Sequence, residues 1–266
     1  MITAEELSAL TVGQIRKLAL PEDSDMEAFL ELLEQDSRRG VRDQAAAVRR
    51  KLVAEAREQD RLADMKAFEN ELRNQGFERI CGIDEVGRGP LAGPVVTCAA
   101  VLPAQSNIPG IDDSKKLSHK KRAMLAELLK NEADYAFGVM SPEHIDEMNI
   151  LNATKHAMVS AAGRLDPRPD LLLVDAVSLK TEIPVRAVIH GDALCYSIAA
   201  ASILAKEYRD DYMRKMAVKY PQYGFDRNMG YGTEEHIEAI RTYGLTPIHR
   251  KTFCTKFVTP EWDPCE

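Results

Sequence analysis

Cys81-Gly82-Ile83-Asp84-Glu85-Val86-Gly87-Arg88-Gly89-Pro90-Leu91-Ala92-Gly93-Pro94 opens as a short apolar strand, presents two adjacent carboxylates, and breaks into a glycine-rich turn with one arginine. A second apolar run from Val95 to Leu102 follows, so the stretch predicts paired strands. Carboxylates at a strand end, beside glycines that expose backbone N–H groups, can hold a hard cation and a phosphate together. A plain hairpin with an acidic turn is the alternative for Asp84-Glu85 taken alone. A dinucleotide site fits less well, because Gly87, Gly89 and Gly93 are spaced one residue too long and a strand follows them in place of a helix. Pro90 and Pro94 also lack the N–H that a phosphate cradle would use. The stretch therefore points to a metal centre whose remaining ligands lie elsewhere.

Upstream, residues 1 to about 75 read as helical. Thr3 with Glu6 and Ser24 with Glu27 fit capping boxes, and Pro21 separates two pieces. From Val41 to Asn74 there is no proline, and Val48, Leu52, Leu62, Met65, Phe68 and Leu72 recur at helical spacing, with Gly76 as a stop. Downstream, Arg79–Asp84, Val95–Leu102, Tyr135–Met140, Asp170–Asp175 and Val185–Ile189 read as five strands. Helices are expected over Ser118–Asn131, from Ser141 with breaks to Arg164, and from about Ala193 to Tyr220. The last carries Ala199-Ala200-Ala201-Ser202, small enough to lie close on a sheet. A hairpin followed by strand–helix alternation predicts an α/β chain with a mixed five-stranded sheet flanked by helices. The expected domains are a helical accessory module over 1–75 and a catalytic domain over 76–266 that ends in a helical and basic segment.

The 266 residues are 45% hydrophobic, enough for a substantial core. No stretch approaches a membrane span, no secretory signal is visible, and the five cysteines form no C-x-x-C pair. Those features lead us to expect a cytoplasmic protein with reduced thiols. The formal charge of −7 opposes bulk nucleic-acid binding. However, Ser114–Arg122 (Ser-Lys-Lys-Leu-Ser-His-Lys-Lys-Arg) and His249-Arg250-Lys251 with Lys256 are local basic groups. Net charge does not decide the partner.

Asp175 ends its strand as Asp84 ends the first, and Asp192 follows the fifth strand at the mouth of the long helix. An N-cap is the structural alternative for Asp192. Two unit charges ~4 Å apart repel by ~4 kcal/mol at an effective dielectric of ~20. A cluster of four carboxylates must therefore protonate or bind cations, and oxygen ligation points to Mg²⁺ or Mn²⁺. Neighbouring strand residues face opposite ways, so Asp84 and Glu85 share one site only if the strand ends or bends, which Gly87 and Gly89 would permit.

Gly82–Val95 closely resembles the signature of ribonuclease HII. So do Asp112-Asp113-Ser114-Lys115-Lys116-Leu117, Leu173-Val174-Asp175, Ser197–Lys206 and Thr246-Pro247-Ile248-His249-Arg250-Lys251. The resemblance covers roughly Phe77 to Phe257. It implies a ribonuclease H-like fold with an added N-terminal helical extension. It also implies an endonuclease that hydrolyses the RNA strand of RNA–DNA hybrids and cuts 5′ of single ribonucleotides in duplex DNA, as in ribonucleotide excision. By motif match, Asp84, Glu85, Asp175 and Asp192 would be the catalytic carboxylates and hold two divalent ions, Mg²⁺ or Mn²⁺. Gly87, Arg88 and Gly89 would read the ribose 2′-hydroxyl, and Tyr231 would stack beside the scissile junction. Lys115, Lys116, Ser202 and Lys206 would contact phosphates. The resemblance further implies a monomer that meets RNA–DNA hybrid and ribonucleotide-containing DNA; a replication or repair partner stays open. Ala176 stands where glycine is frequent and Gly232 where proline is, and neither change removes a functional group.

The alternatives are a resolvase-like nuclease on the same superfold, which would have no 2′-hydroxyl to read, and a silent nucleic-acid binding module, which loss of a carboxylate would favour. No G-x-S-x-G elbow supports a serine hydrolase. His236, near a helix start, and His249, in a basic turn, read as isolated.

Overall fold

The computed structural model describes residues 2–18, 20–21, 23–175 and 177–258. By packing, the chain divides between Arg61 and Leu62 into two compact units. The first contains helices α1 (Ala4–Ala9), α2 (Val12–Ile15) and α3 (Asp23–Glu34), with the start of α4 (Arg39–Asn74). Thr3 caps α1 in the expected box with Glu6, and Thr11 with Gln14 makes an unforeseen second one at α2. Helix α3 starts ahead of Ser24, which is therefore not its N-cap. Leu7, Ile15, Phe29, Leu30, Leu33, Val41 and Ala45 bury together as this unit's core.

The second unit is built on five strands: β1 (Ile80–Val86), β2 (Val95–Val101), β3 (Asp134–Met140), β4 (Leu171–Asp175) and β5 (Val185–Val188). Their order is β3-β2-β1-β4-β5. The first three form an antiparallel meander, whereas β4 runs parallel to both β1 and β5, giving the expected mixed sheet. Around it lie α5 (His119–Glu132), α6 (Pro142–Met148), α7 (Ile150–Ala162), α8 (Gly191–Leu194), α9 (Tyr196–Lys219), α10 (Phe225–Asn228), α11 (Glu234–Tyr243) and α12 (Lys251–Cys254).

One sheet face packs on α9 and α5, through Val96, Cys98 and Ala100 against Ala200, Leu204 and Leu125. The other packs on α7, through Cys81, Ile83, Ala99, Leu172 and Val174 against Met158 and Ala161. Helix α9 lies very close to β1. A Cβ on Gly82 would stand 2.2 Å from the backbone carbon of Ser197, so only glycine admits the helix there.

Two differences from the sequence reading concern boundaries. The expected helix from Ala193 is two helices, because Cys195 adopts an extended conformation (φ −118°, ψ 128°) between α8 and α9. By packing, the last turns of α4 from Leu62 on group with the second unit, ahead of the expected position near residue 75. Leu62 and Met65 enter the α9-side core, Leu72 packs with Ile80 and Ile198, and the buried Glu69 carboxylate accepts the Ser197 N–H and hydroxyl at 2.8 Å each. Glu69 thus supplies the N-terminal cap that Cys195 cannot give α9. Cys81, Cys98, Cys195 and Cys254 are free and buried, while Cys265 and Ala176 lie outside the described residues. No helix among the described residues is long and apolar enough to cross a membrane.

Candidate active site

β1 and β4 pair in parallel up to Ile83 opposite Val174. Asp84 and Asp175 are the next residue on each strand, side by side at the same sheet edge. The strand does not end at Asp84, as expected, but continues to Val86, with Asp84 opposite Cys98 and Glu85 opposite Thr97. Alternation then sends Asp84, like Gly82, toward α9, and Glu85 toward the face of Ile83. Asp84 is buried and bonds the hydroxyl of Ser202 on α9. Asp175 accepts the Gly191 N–H at 2.9 Å, tying the end of β4 to the start of α8. Asp192 is buried in the first turn of α8 and is not its N-cap, a position held by His190.

The charges feel one another. Burial, the Glu85 charge and the Asp175 charge push the Asp84 carboxyl up to about 8, against hydrogen bonds from Ser202 and the Glu85 backbone. Burial and Asp175 also raise Glu85, although Arg88 opposes this from 3.3 Å. Burial works against the Lys115 ammonium, but Asp192, Asp113 and Asp84 outweigh it and raise its pKa. Lys115 Nζ lies 3.3 Å from Asp192 Oδ2, a second compensating cation beside Arg88. Among the described residues, no three His, Cys, Asp or Glu side chains are disposed to close on a single ion. The donor set itself, oxygen-only and short of positive charge, fits a hard divalent cation.

The turn residues and Tyr231, expected from the sequence to read substrate, lie together. A Cβ on Gly89 would lie 3.5 Å from the Tyr231 ring, and Tyr231 is 47% exposed. Gly87 has φ +92°, and a Cβ there would stand 2.2 Å from Arg209 Nε. The residues expected to contact phosphate divide. Lys115 and Lys116 extend into solvent, with side chains 75% and 58% exposed. Ser202 is buried and shares a 2.8 Å hydrogen bond with Ser114, and Lys206 is paired with Asp210 at 2.7 Å. The Ser202 hydroxyl is thus turned inward, whereas the Lys206 ammonium keeps donors beyond the one that Asp210 takes.

The contacts of four buried residues escaped the sequence reading. Arg209 and Arg250 are fully buried and bond only to backbone carbonyls of the loops around the turn. His236 and His249 are not isolated: their Nε2 atoms lie 3.0 Å apart. Thr246 N–H donates to His249 Nδ1, and His236 Nδ1 must donate to the Tyr231 carbonyl, which fixes both tautomers. Arg209 gave no signal, because Tyr208-Arg209-Asp210-Asp211 reads as a solvated helix face.

The ribonuclease HII profile matches residues 81–256, spanning all five strands but the first residue of β1, and the turn, and the ribonuclease HII N-terminal domain matches 11–73. The chain belongs to the ribonuclease HII family. Ribonuclease HII from Bacillus cytotoxicus is 44% identical over 91% of this chain and 94% of its own. The Chlamydia pneumoniae ribonuclease HII is 54% identical over 73% of this chain and 91% of its own. Among solved structures, the ribonuclease H2 of Pyrococcus horikoshii aligns at a TM-score of 0.59 and 31% identity, covering 68% of this chain and 97% of that one. The ribonuclease HII of Archaeoglobus fulgidus, solved in complex with PCNA, aligns at a TM-score of 0.56 and 26% identity, over 65% and 94%. Ribonuclease HII membership makes the chain a nuclease hydrolase of a divalent-metal-dependent family that acts on RNA–DNA substrates.

Proposed function

We propose that this ribonuclease HII cuts the RNA strand of RNA–DNA hybrids and also cuts on the 5′ side of a single ribonucleotide in duplex DNA, with two divalent ions, Mg²⁺ or Mn²⁺. The observation that carries the reading is the adjacency of two features: a charge-deficient carboxylate edge at Asp84 and Asp175, and a glycine turn against an exposed tyrosine. Asp84, Glu85, Asp175 and Asp192 would hold the ions. Bound ions supply Lewis-acid stabilisation and a water of lowered pKa. The chemistry is an in-line displacement in which water attacks phosphorus and the P–O3′ bond breaks. It leaves a 3′-hydroxyl on the deoxy side and a 5′-phosphate on the ribonucleotide.

The protein's own residues select and orient. Backbone at Gly87–Gly89 would bond the 2′-hydroxyl, which is both donor and acceptor and marks RNA. One such uncharged bond is worth only ~0.5–1.5 kcal/mol. Tyr231, packed on the adjoining sugar or base, would add ~1–3 kcal/mol. Lys115, 3.3 Å from Asp192, would neutralise substrate phosphate. The test uses matched duplexes with zero, one or four consecutive ribonucleotides, in Mg²⁺ and in EDTA. Cleavage of the second and third only, at the 5′ phosphate of the lone ribonucleotide and only with metal, is expected. Cleavage of the all-deoxy duplex would sink the reading.

A further inference from the structure

We propose that Arg209 is a positioning residue that locks the Gly87–Gly89 turn and Tyr231 into one rigid reader, sets its distance from Asp84, and thereby decides which phosphodiester is cut. The inference rests on the function proposed above and deepens it.

Arg209 spends its guanidinium wholly on main chain. Nε donates to the Pro94 carbonyl at 3.0 Å, Nη2 to Ala92 at 3.0 Å and Nη1 to Met229 at 2.9 Å. Its neighbour Asp210 is committed to Arg122 and Lys206. Burial lowers the Arg209 pKa to about 10, so the arrangement works against the charge it contains. An apolar side chain would fill the same space without that cost. What only a guanidinium offers is several N–H donors in one rigid plane.

The carbonyls it gathers belong to the two recognition segments. Ala92 and Pro94 close the loop that begins with the Gly-Arg-Gly turn, and Met229 stands two residues before Tyr231. The same segments are tied directly, because the Gly230 carbonyl accepts the N–H groups of Leu91 and Ala92 at 2.8 and 3.2 Å. From the other side, Arg250 donates to the carbonyls of Gly87, Arg88 and Gly93 at 2.5, 2.9 and 3.0 Å, the last through Nε.

Arg209 also sits on the helix that touches the catalytic edge. Ser202, which bonds Asp84, precedes it by two helical turns, or ~10 Å along α9 on the same face. One rigid helix thus holds the carboxylate edge at one point and the reader at another. A lone ribonucleotide offers a single 2′-hydroxyl and so a single register. An ~1 Å displacement of a reacting group can cost ~100-fold in rate. A run of ribonucleotides offers several registers and tolerates slack.

The test compares the full-length wild-type chain with Arg209→Lys and Arg250→Lys on the one- and four-ribonucleotide duplexes in Mg²⁺, with products mapped to the nucleotide. Circular dichroism and thermal melting report folding. A folded Arg209→Lys should lose at least tenfold more kcat on the lone ribonucleotide than on the run, and should cut at neighbouring phosphates. Equal losses with an unchanged cut position overturn the proposal. If Arg209→Lys does not fold, Arg250→Lys decides by the same comparison. Failure of both to fold would make the guanidiniums scaffold only, and also overturns it. A wild-type chain that ignores the lone ribonucleotide would instead sink the functional reading. In that event, an unchanged cut pattern for the variants on the run overturns the present proposal independently.

Discussion

At the scale of single residues, the candidate site stores unfavourable charge. Asp84→Asn or Asp175→Asn should preserve the fold and reduce turnover by orders of magnitude, because each removes a charged oxygen ligand. Near-wild-type turnover by a folded Asp175→Asn chain would refute its assignment. The pH dependence follows from the direction of the shift. Asp84 titrates near 3.8 in the unfolded chain and at about 8 when folded, so folding takes up a proton between those values. Its contribution is complete at low pH and is lost as pH rises toward 8, with a limiting slope of about 1.4 kcal/mol per pH unit. In EDTA, melting temperature should therefore fall from pH 6 to pH 8, and Asp84→Asn should flatten that limb. The buried histidines act in the opposite sense. Burial, with the His236 charge, lowers His249 to about 3, so its contribution holds above the ordinary histidine range and is lost on acidification. A wild-type melting temperature that rises from pH 6 to pH 8 in EDTA would contradict the Asp84 assignment. Asp84 and Asp175 stand out in the sequence because each follows an apolar run. Arg209 and the His236–His249 pair do not, because their partners are distant backbone carbonyls and each other.

At the scale of elements, the strands were legible for a simple reason. Leu171-Leu172-Leu173-Val174 is apolar throughout, and β4 is covered on both faces. The end of β1 was not, since nothing local shows that Val86 still pairs with Val96. The division between α8 and α9 was hidden too, because Cys195 and its neighbours suit a helix and only the packing extends it. Helix α9 is the element on which the site depends, and its start is held from outside by Glu69. Glu69→Ala would leave the Ser197 N–H without its acceptor and should cost ~1–2 kcal/mol in urea melts. Glu69→Gln retains an oxygen acceptor and removes a charge that burial disfavours, so it should lose less. Equal destabilisation by both variants would mean the charge, and not the acceptor, holds α9.

At the scale of the whole chain, the important boundary is the one within α4. A chain starting at Leu62 keeps Leu62, Met65, Glu69 and Leu72, and should fold and cut the four-ribonucleotide duplex. One starting at Gln75 loses three buried side chains worth ~1.5–3 kcal/mol each together with the α9 cap. That is comparable to the ~5–15 kcal/mol stability of a typical domain, so it should be largely unfolded by circular dichroism. Equal stability of the two chains would place the boundary at residue 75 after all. The buried cysteines have a different use, as built-in timers. Burial raises every one of the four thiols, to about 12 for Cys195 and Cys254 and further for Cys81 and Cys98, so none reacts while covered. They lie at separate depths: Cys81 and Cys98 on paired central strands, Cys195 at the head of α9, and Cys254 in a small C-terminal helix. In a Cys265→Ser background, pulsed alkylation read by mass spectrometry would clock the opening of each region. Cys254 should label first, and Cys81 and Cys98 together and last, on the timescale of global unfolding.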